Sequence, residues 1–337
     1  MAPEHFDLSR QKLGEESLVA VVLCSSNSEE VLMKPLVLRG VRASLLLALA
    51  GCMFATTFDP ASAETTGVRT TKAIEILPVP GSTFLAWTQA PASHPNRLGV
   101  FAKRKGRSKF RVSAKGSKGF TAGGAMDGSR LIYSQRSGSR ANLKMINLST
   151  RNRINVPARI NTRKHEWGAS LSGNWVLFAR STFSSSTEQV FLFNLATKRK
   201  RLLAETRGRA YSQPGSVSGN YASWIKCRRF SSCRVFRYDI AAKTKTKIPN
   251  PNNKAQYATS VTSDGTVYYG ESNNLITCRS RVNVYRLRLG EARSRLFSLR
   301  RGRDLSSTGP LVNSNTSLYF DRFTCRSGAA DILKTDG

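Results

Sequence analysis

Acidic side chains are scarce in this chain: 21 Asp and Glu stand against 53 Lys and Arg over 337 residues, a formal charge of +32. Histidine is scarcer still, at three. These shortages narrow the chemistry. Few carboxylates are left to form a general acid and base pair, and most fall in turns (Asp127, Asp264) or outer runs (Asp239). No H-E-x-x-H, Walker-type glycine loop, dinucleotide fingerprint or G-x-S-x-G elbow occurs; GASLS from Gly168 and GSVSG from Gly215 are near misses. No C-x₂-C pair occurs either, so no metal ligands are assigned and no cofactor is expected. From Gly81 to the C-terminus there is no stretch of helical period.

What is present is a repeat of about 46 residues. A small polar turn leads into a short apolar strand six times: GSTFLAW from Gly81, GSRLIYS from Gly128, GNWVLFA from Gly173, GNYASWI from Gly219, GTVYYGE from Gly265 and NTSLYFD from Asn315. Each strand is followed by a polar loop and a second, alternating run, such as NLKMINL from Asn142, QVFLFNL from Gln189 and RVFRYDI from Arg234. A basic turn and a third short run come next, and a small-residue segment precedes each glycine. Four short strands in each unit is the grammar of a propeller blade. The strand after each glycine is almost continuously apolar, as expected for a strand covered on both faces. A β-sandwich or β-solenoid is the competing architecture. The fold class is therefore all-β, a six-bladed β-propeller of four-stranded antiparallel blades.

These repeats resemble those of TolB-type, WD-like propellers of the exported bacterial kind. The small-x-Asp-Gly turn is matched by Met126-Asp127-Gly128 and Ser263-Asp264-Gly265, while Gly173 and Gly219 follow Ser. The resemblance covers roughly residues 70–337. It implies a binding platform and specifies no activity.

Ahead of the repeats, residues 34–63 read as a secretory signal. Lys34, Arg39 and Arg42 make a basic start, Ala43–Phe58 an apolar stretch, and Ala61-Ser62-Ala63 a small-x-small cleavage site. The apolar run is shorter than the ~20 residues of a membrane span. Leu49-Ala50-Gly51-Cys52 offers a second parse, with a lipid on Cys52. Residues 1–32 are an unpatterned extension, read as preceding a true start at Met33. The domains are thus 1–32, the signal at 33–63 and one propeller at 64–337, which is secreted or envelope-associated and monomeric. Residues Thr65–Lys72 are expected to supply the strand that the last unit lacks and so to close the ring.

The exported part keeps Cys227, Cys233, Cys278 and Cys325, an even number that points to disulfides. Cys227 with Cys233 would close the loop CRRFSSC. Cys278 with Cys325 would join two equivalent Thr-Cys-Arg-Ser loops.

Residues 64–337 carry 48 basic and 14 acidic side chains, which draws polyanions at long range. For an exported protein the partner is an anionic envelope polymer or a protein; for an intracellular one it would be nucleic acid. The competing reading is that the cations decorate solvated strands in general. Eight residues before four consecutive turn glycines stand Phe120, His165, Tyr211 and Tyr257, with Lys118, Lys164, Arg209 and Lys254 close upstream. Such a ring at the channel mouth suits an anionic or sugar-bearing ligand, or else it packs adjacent blades. Arg228, Arg229, Arg279, Arg281 and Arg326 are expected on the same face. The reading is a non-catalytic binding module. The rival is a polysaccharide lyase or hydrolase using His165 and Glu166, the one adjacent imidazole and carboxylate.

Overall fold

The computed structural model describes residues 65–69, 73–91, 93–94, 97–120, 126–138, 140–182, 186–229, 232–273, 281–299, 304–305, 311–312, 317–324 and 330–336. The expected signal and extension, Cys52, Cys278, Cys325, Arg279 and Arg326 lie outside these residues. No helix among the described residues is long and apolar enough to cross a membrane.

The described chain is all β. Strand β1 (Thr65–Arg69) comes first, then β2 (Ile74–Pro80), β3 (Phe84–Ala90), β4 (Gly99–Arg104) and β5 (Phe110–Arg111). The second unit holds β6 (Lys118–Phe120), β7 (Arg130–Ser137), β8 (Arg140–Asn147) and β9 (Arg153–Ile154). The third holds β10 (His165–Ser172), β11 (Trp175–Thr182), β12 (Thr187–Asn194) and β13 (Lys200–Arg207). The fourth holds β14 (Tyr211–Ser218), β15 (Tyr221–Cys227), β16 (Cys233–Asp239) and β17 (Thr244–Lys247). The fifth holds β18 (Ala255–Val261), β19 (Val267–Ser272), β20 (Val282–Leu287) and β21 (Ser294–Leu299). Last come β22 (Asp304–Leu305), β23 (Leu311–Val312), β24 (Ser317–Thr324) and β25 (Ala330–Asp336).

The architecture is a propeller of four-stranded antiparallel blades, each a meander in chain order. The count differs from expectation. Five sheets form, not six: four are four-stranded, and the fifth is nine-stranded, in the order β22-β24-β25-β2-β3-β4-β5 with β1 on β25 and β23 on β24. The physical reason is local. A single parallel pairing of Ile74 with Ala330 joins the first unit to the last. Strand β1 pairs antiparallel with β25 along Thr65–Arg69, so the start of the repeat region does supply a strand to the final unit.

Two local devices recur. The strand that opens a unit is bulged before its turn, between Ile76 and Val79, Trp167 and Ser170, Pro214 and Val217, and Tyr257 and Thr259. In the third unit the bulge places Gly168 at φ +66°, where a side chain would also strike Pro214 of the next sheet. Each opening strand is also an edge of its sheet, and serines of neighbouring opening strands take backbone donors along that edge and at its turn. Val217 N–H donates to Ser170 Oγ (3.1 Å), Gly219 N–H to Ser172 Oγ (3.1 Å) and Val261 N–H to Ser216 Oγ (2.8 Å). These bonds hold the opening strands of three successive sheets side by side. The second device closes the turn after each third strand: Asn147, Asn194 and Asp239 accept backbone N–H bonds two or three residues on. Basic residues follow at positive φ, Arg151, Lys198 and Lys243.

The core lies between sheets rather than within one. One cluster joins Ile132, Leu143 and Met145 of the second unit to Phe178 and Phe191 of the third. Another joins Leu177, Val190 and Leu192 to Val217 and Trp224 of the fourth. A third joins Ile225 and Val235 to Tyr269 and Tyr285 of the fifth. Aromatic rings face each other across the second and third strands in four units: Trp87 with Phe101 (6.4 Å between centroids), Phe178 with Phe191 (5.6 Å), Trp224 with Phe236 (5.5 Å) and Tyr269 with Tyr285 (5.7 Å). Each pair sits directly opposite in register.

Phe178 is fully buried at such an interface, so Phe178→Ala is expected to cost about 3–5 kcal/mol. Leu202→Ala, at a side chain 47% exposed, is expected to stay within about 0.5 kcal/mol. Urea unfolding followed by circular dichroism compares the two; equal, mild losses would contradict an inter-sheet core.

Candidate binding surface

Because opening strands run side by side, the edge where they enter each sheet is shared. Second strands leave, and third strands begin, at that same edge. The predicted ring residues fall there. Phe120 ends β6 opposite Ser134, His165 opens β10 opposite Ser181, and Tyr211 opens β14 opposite Cys227. Tyr257 is third in β18, opposite Gly270, because this unit has a shorter bulge and a longer turn.

Three of these side chains turn inward. His165 is 2% exposed, and its Nδ1 accepts the N–H of Ala141 on β8 of the preceding unit at 3.0 Å. That bond satisfies a donor beyond the reach of short β9, which covers only Met145 and Ile146. Burial, and next the nearby Arg136, push the imidazole down to about 4, so it is neutral near pH 7. Tyr257 is buried in the cluster containing Cys227, Cys233 and Tyr269, and Tyr211 packs against it. Tyr211 donates to Cys233 Sγ at 3.4 Å. Burial, with Tyr257 and Glu188 beside it, raises the Tyr211 phenol above its ordinary value, and burial pushes Tyr257 up to about 12. Of the two uses open to His165, Tyr211 and Tyr257, the structure supports packing between blades.

Glu166 is equally engaged. Its Oε1 accepts from Arg180 Nε (2.9 Å), Thr162 N (3.2 Å) and Thr162 Oγ1 (2.6 Å). Arg180 Nη2 reaches the carbonyls of Arg159 (3.3 Å) and Ile160 (3.0 Å). The pair thus pins the segment entering the third unit, and both residues of the rival catalytic reading serve the blade junction.

The predicted cations behave differently. Lys118, Lys164, Arg209, Arg228, Arg229 and Arg281 are exposed, and Lys254 is half-buried. Cys227 and Cys233 form the expected disulfide, with Cα atoms 4.0 Å apart. The hairpin they close is also tied by Arg228 N to Ser232 O (3.1 Å) and Ser232 N to Arg229 O (2.9 Å). It therefore holds Arg228 and Arg229 beside the disulfide. Cations are not confined to this edge: Lys198–Arg201 and Lys243–Lys247 are exposed around the opposite turns. No group of three His, Cys, Asp or Glu side chains that would hold a metal comes together among the described residues.

Sequence reasoning missed an open groove of about 600 Å³ on the first unit, lined by Ala73, Gln89, Pro91, Ser93, Arg97, Phe101 and Arg111. Arg111 braces it, its Nε donating to Ser113 O (3.2 Å) and its Nη2 to Ser117 O (3.2 Å). Lys109 sits 5.4 Å from the Phe101 centroid and donates to Gln89 Oε1 at 3.0 Å. One signal could have found it: no acidic residue occurs between Glu75 and Asp127, while basic residues crowd 97–111.

No protein family and no curated protein matches this sequence. Solved structures do. TolB from Acinetobacter baumannii aligns with a TM-score of 0.51 at 12% identity, over 76% of this chain and 64% of that one, so less than two thirds of that protein is spanned. A putative TolB from Agrobacterium tumefaciens aligns at 0.48 and 11%, over 79% and 91%. The β-propeller domain of the Trilobed protease from Pyrococcus furiosus aligns at 0.46 and 11%, over 81% and 95%. At 12% identity the likeness to the Acinetobacter TolB supports the propeller fold and nothing about activity.

His165 gives a pH signature. Its folded pKa lies below the ordinary 6.5, so the unfolded chain takes the proton first and stability falls as pH drops from 6.5 towards 4. The loss amounts to at most about 3 kcal/mol. His165→Gln keeps an acceptor for Ala141 but does not titrate. The stability difference between the native protein and this variant, from urea unfolding at several pH values, should change over that window. A constant difference would place His165 in a solvated site.

Proposed function

We propose that this chain is an exported, non-catalytic propeller module of the cell envelope that engages an anionic polymer, or an acidic protein partner, through its basic entry edge. The observation that carries the reading is the contrast at that edge. His165, Tyr211 and Tyr257 pack between blades, while Lys118, Lys164, Arg209, Arg228, Arg229 and Arg281 remain exposed. The disulfide-closed hairpin fixes two of these cations in advance, which lowers the entropy lost on binding.

In the same reading the ring has six units. The nine-stranded sheet is two blades touching at one parallel pairing, and β1 completes the last of them. Export follows from the signal at 33–63. Cleavage after Ala63 would leave Glu64 ahead of β1, so the closing strand would be retained. A disulfide fits an oxidising compartment. The protein acts as a monomer, with no metal or cofactor.

The test measures binding of the intact protein to polygalacturonate, to a glycerol phosphate polymer, to duplex DNA and to neutral dextran, at low and high salt. The acidic envelope polymers should bind and be released by salt, and dextran should not bind. Removing Arg209, Arg228 and Arg229 together should weaken binding about a hundred-fold, at roughly 1 kcal/mol per cation. Equal binding to dextran, or turnover of a polymer, would overturn the proposal. Tighter binding to DNA than to either envelope polymer would favour the nucleic-acid alternative.

A further inference from the structure

The first unit, which carries the groove, and the fifth hold an amide and a carboxylate in exchanged places: Gln256 faces Glu271 in the fifth unit, and Glu75 faces Gln89 in the first. In the fifth unit, Glu271 lies two residues after the buried ring of Tyr269. Arg293, immediately before the outer strand β21, stands 4.4 Å from the centroid of Tyr285 and ion-pairs with that carboxylate. The first unit repeats this arrangement position by position, with other side chains. Gln89 lies two residues after Trp87. Lys109, immediately before the outer strand β5, stands over the third-strand ring of Phe101 and bonds to Gln89. An amide accepts the hydrogen bond but cancels no charge. Glu75 faces Gln89 in register, yet it is fully buried and does not line the groove.

The groove is therefore lined by Arg97 and Arg111, with Lys109 held beside it at Gln89, and no carboxylate is among its described lining residues. Its volume of about 600 Å³ falls in the range of ligand sites. Phe101 and Pro91 give it an apolar wall. Arg111 is braced against the carbonyls of Ser113 and Ser117, so it acts as a fixed charge and a positioning residue. Arg97 and Lys109 are the exposed cations able to reach an entering group.

We propose that this groove is a discrete oxyanion site, binding one carboxylate or phosphate group carried on the acidic polymer, with Gln89 in place of a glutamate to keep it vacant for that group. The inference rests on the polyanion-binding reading above and gives it a specific pocket.

Gln89→Glu is the deciding variant. Trp87 Nε1 (3.3 Å) and Lys109 Nζ both donate to Gln89 Oε1, so a carboxylate keeps both bonds while adding a charge, which also faces Glu75 across the strand pair. The intact protein would be titrated calorimetrically with trigalacturonate and, separately, with a short glycerol phosphate oligomer. Saturable binding of either at one site is expected, and which oligomer binds identifies the carboxylate or the phosphate as the source. Gln89→Glu should weaken it about ten-fold or more, with circular dichroism confirming that the variant is folded. Arg97→Ala should weaken it as well, and Arg228→Ala with Arg229→Ala should leave it unchanged. If Gln89→Glu binds like the native protein, the groove is not the site. If neither oligomer saturates while the polymers still bind, the groove proposal falls and the binding-module reading stands. If no acidic polymer binds at all, both fall.

Discussion

No sheet in this molecule can cover its own faces; each depends on its neighbours for burial. Opening and second strands are largely buried on both sides, and the largest buried side chains, Trp87, Trp224, Tyr269 and Phe178, sit on second strands at these interfaces. Stability therefore lies in the stacking of sheets, reinforced by cross-strand aromatic pairs and by serine bonds between opening strands. A stack of this kind must end somewhere, and an open end would expose both an apolar face and a row of unpaired backbone groups. The pairing of β1 with β25, and of Ile74 with Ala330, answers that need by bringing the two ends of the chain together.

The same constraint sorts the polar residues. Where a third strand outruns its outer neighbour, a side chain from the next sheet takes the unused donor: His165 for Ala141, Asn161 for Leu143, and Gln256 for Val235. Residues that look chemical in the sequence thus become joints. Charge that cannot be joined to anything is left on the edges. With so few acids in the chain, and Glu75, Glu166 and Glu271 fully buried, the surface cations go largely unneutralised. The basic rim is the residue of a packing solution.

Much of the fold was legible because it is written as spacing. The turn glycines, the apolar strands behind them and the Asn or Asp closing each third strand recur at a nearly constant interval, and each answers to a local backbone requirement. Closure by residues after 64 was legible from the strand missing at the end. The blade count was less so: whether two units share one sheet turns on a single bridge, which no spacing encodes. The aromatic ring was legible as a pattern and ambiguous in meaning, since Tyr211 and Tyr257 at equal intervals serve packing and ligands alike. The groove was invisible. Seeing it requires Gln89, Arg97, Lys109 and Arg111 in three dimensions, and the kinship of Gln89 with Glu271 emerges only once register aligns the first unit with the fifth.

The central claim is that the chain is a ring of mutually buried sheets closed by its own first strand. Amide hydrogen exchange read by mass spectrometry tests this directly, by comparing peptides spanning residues 65–69 and 330–336 with those of β10 to β12. The account predicts that the closing strands are protected to the same order as the third unit and open together with each other. Exchange of 65–69 at the rate of free chain, while β10 to β12 stay protected, would contradict it.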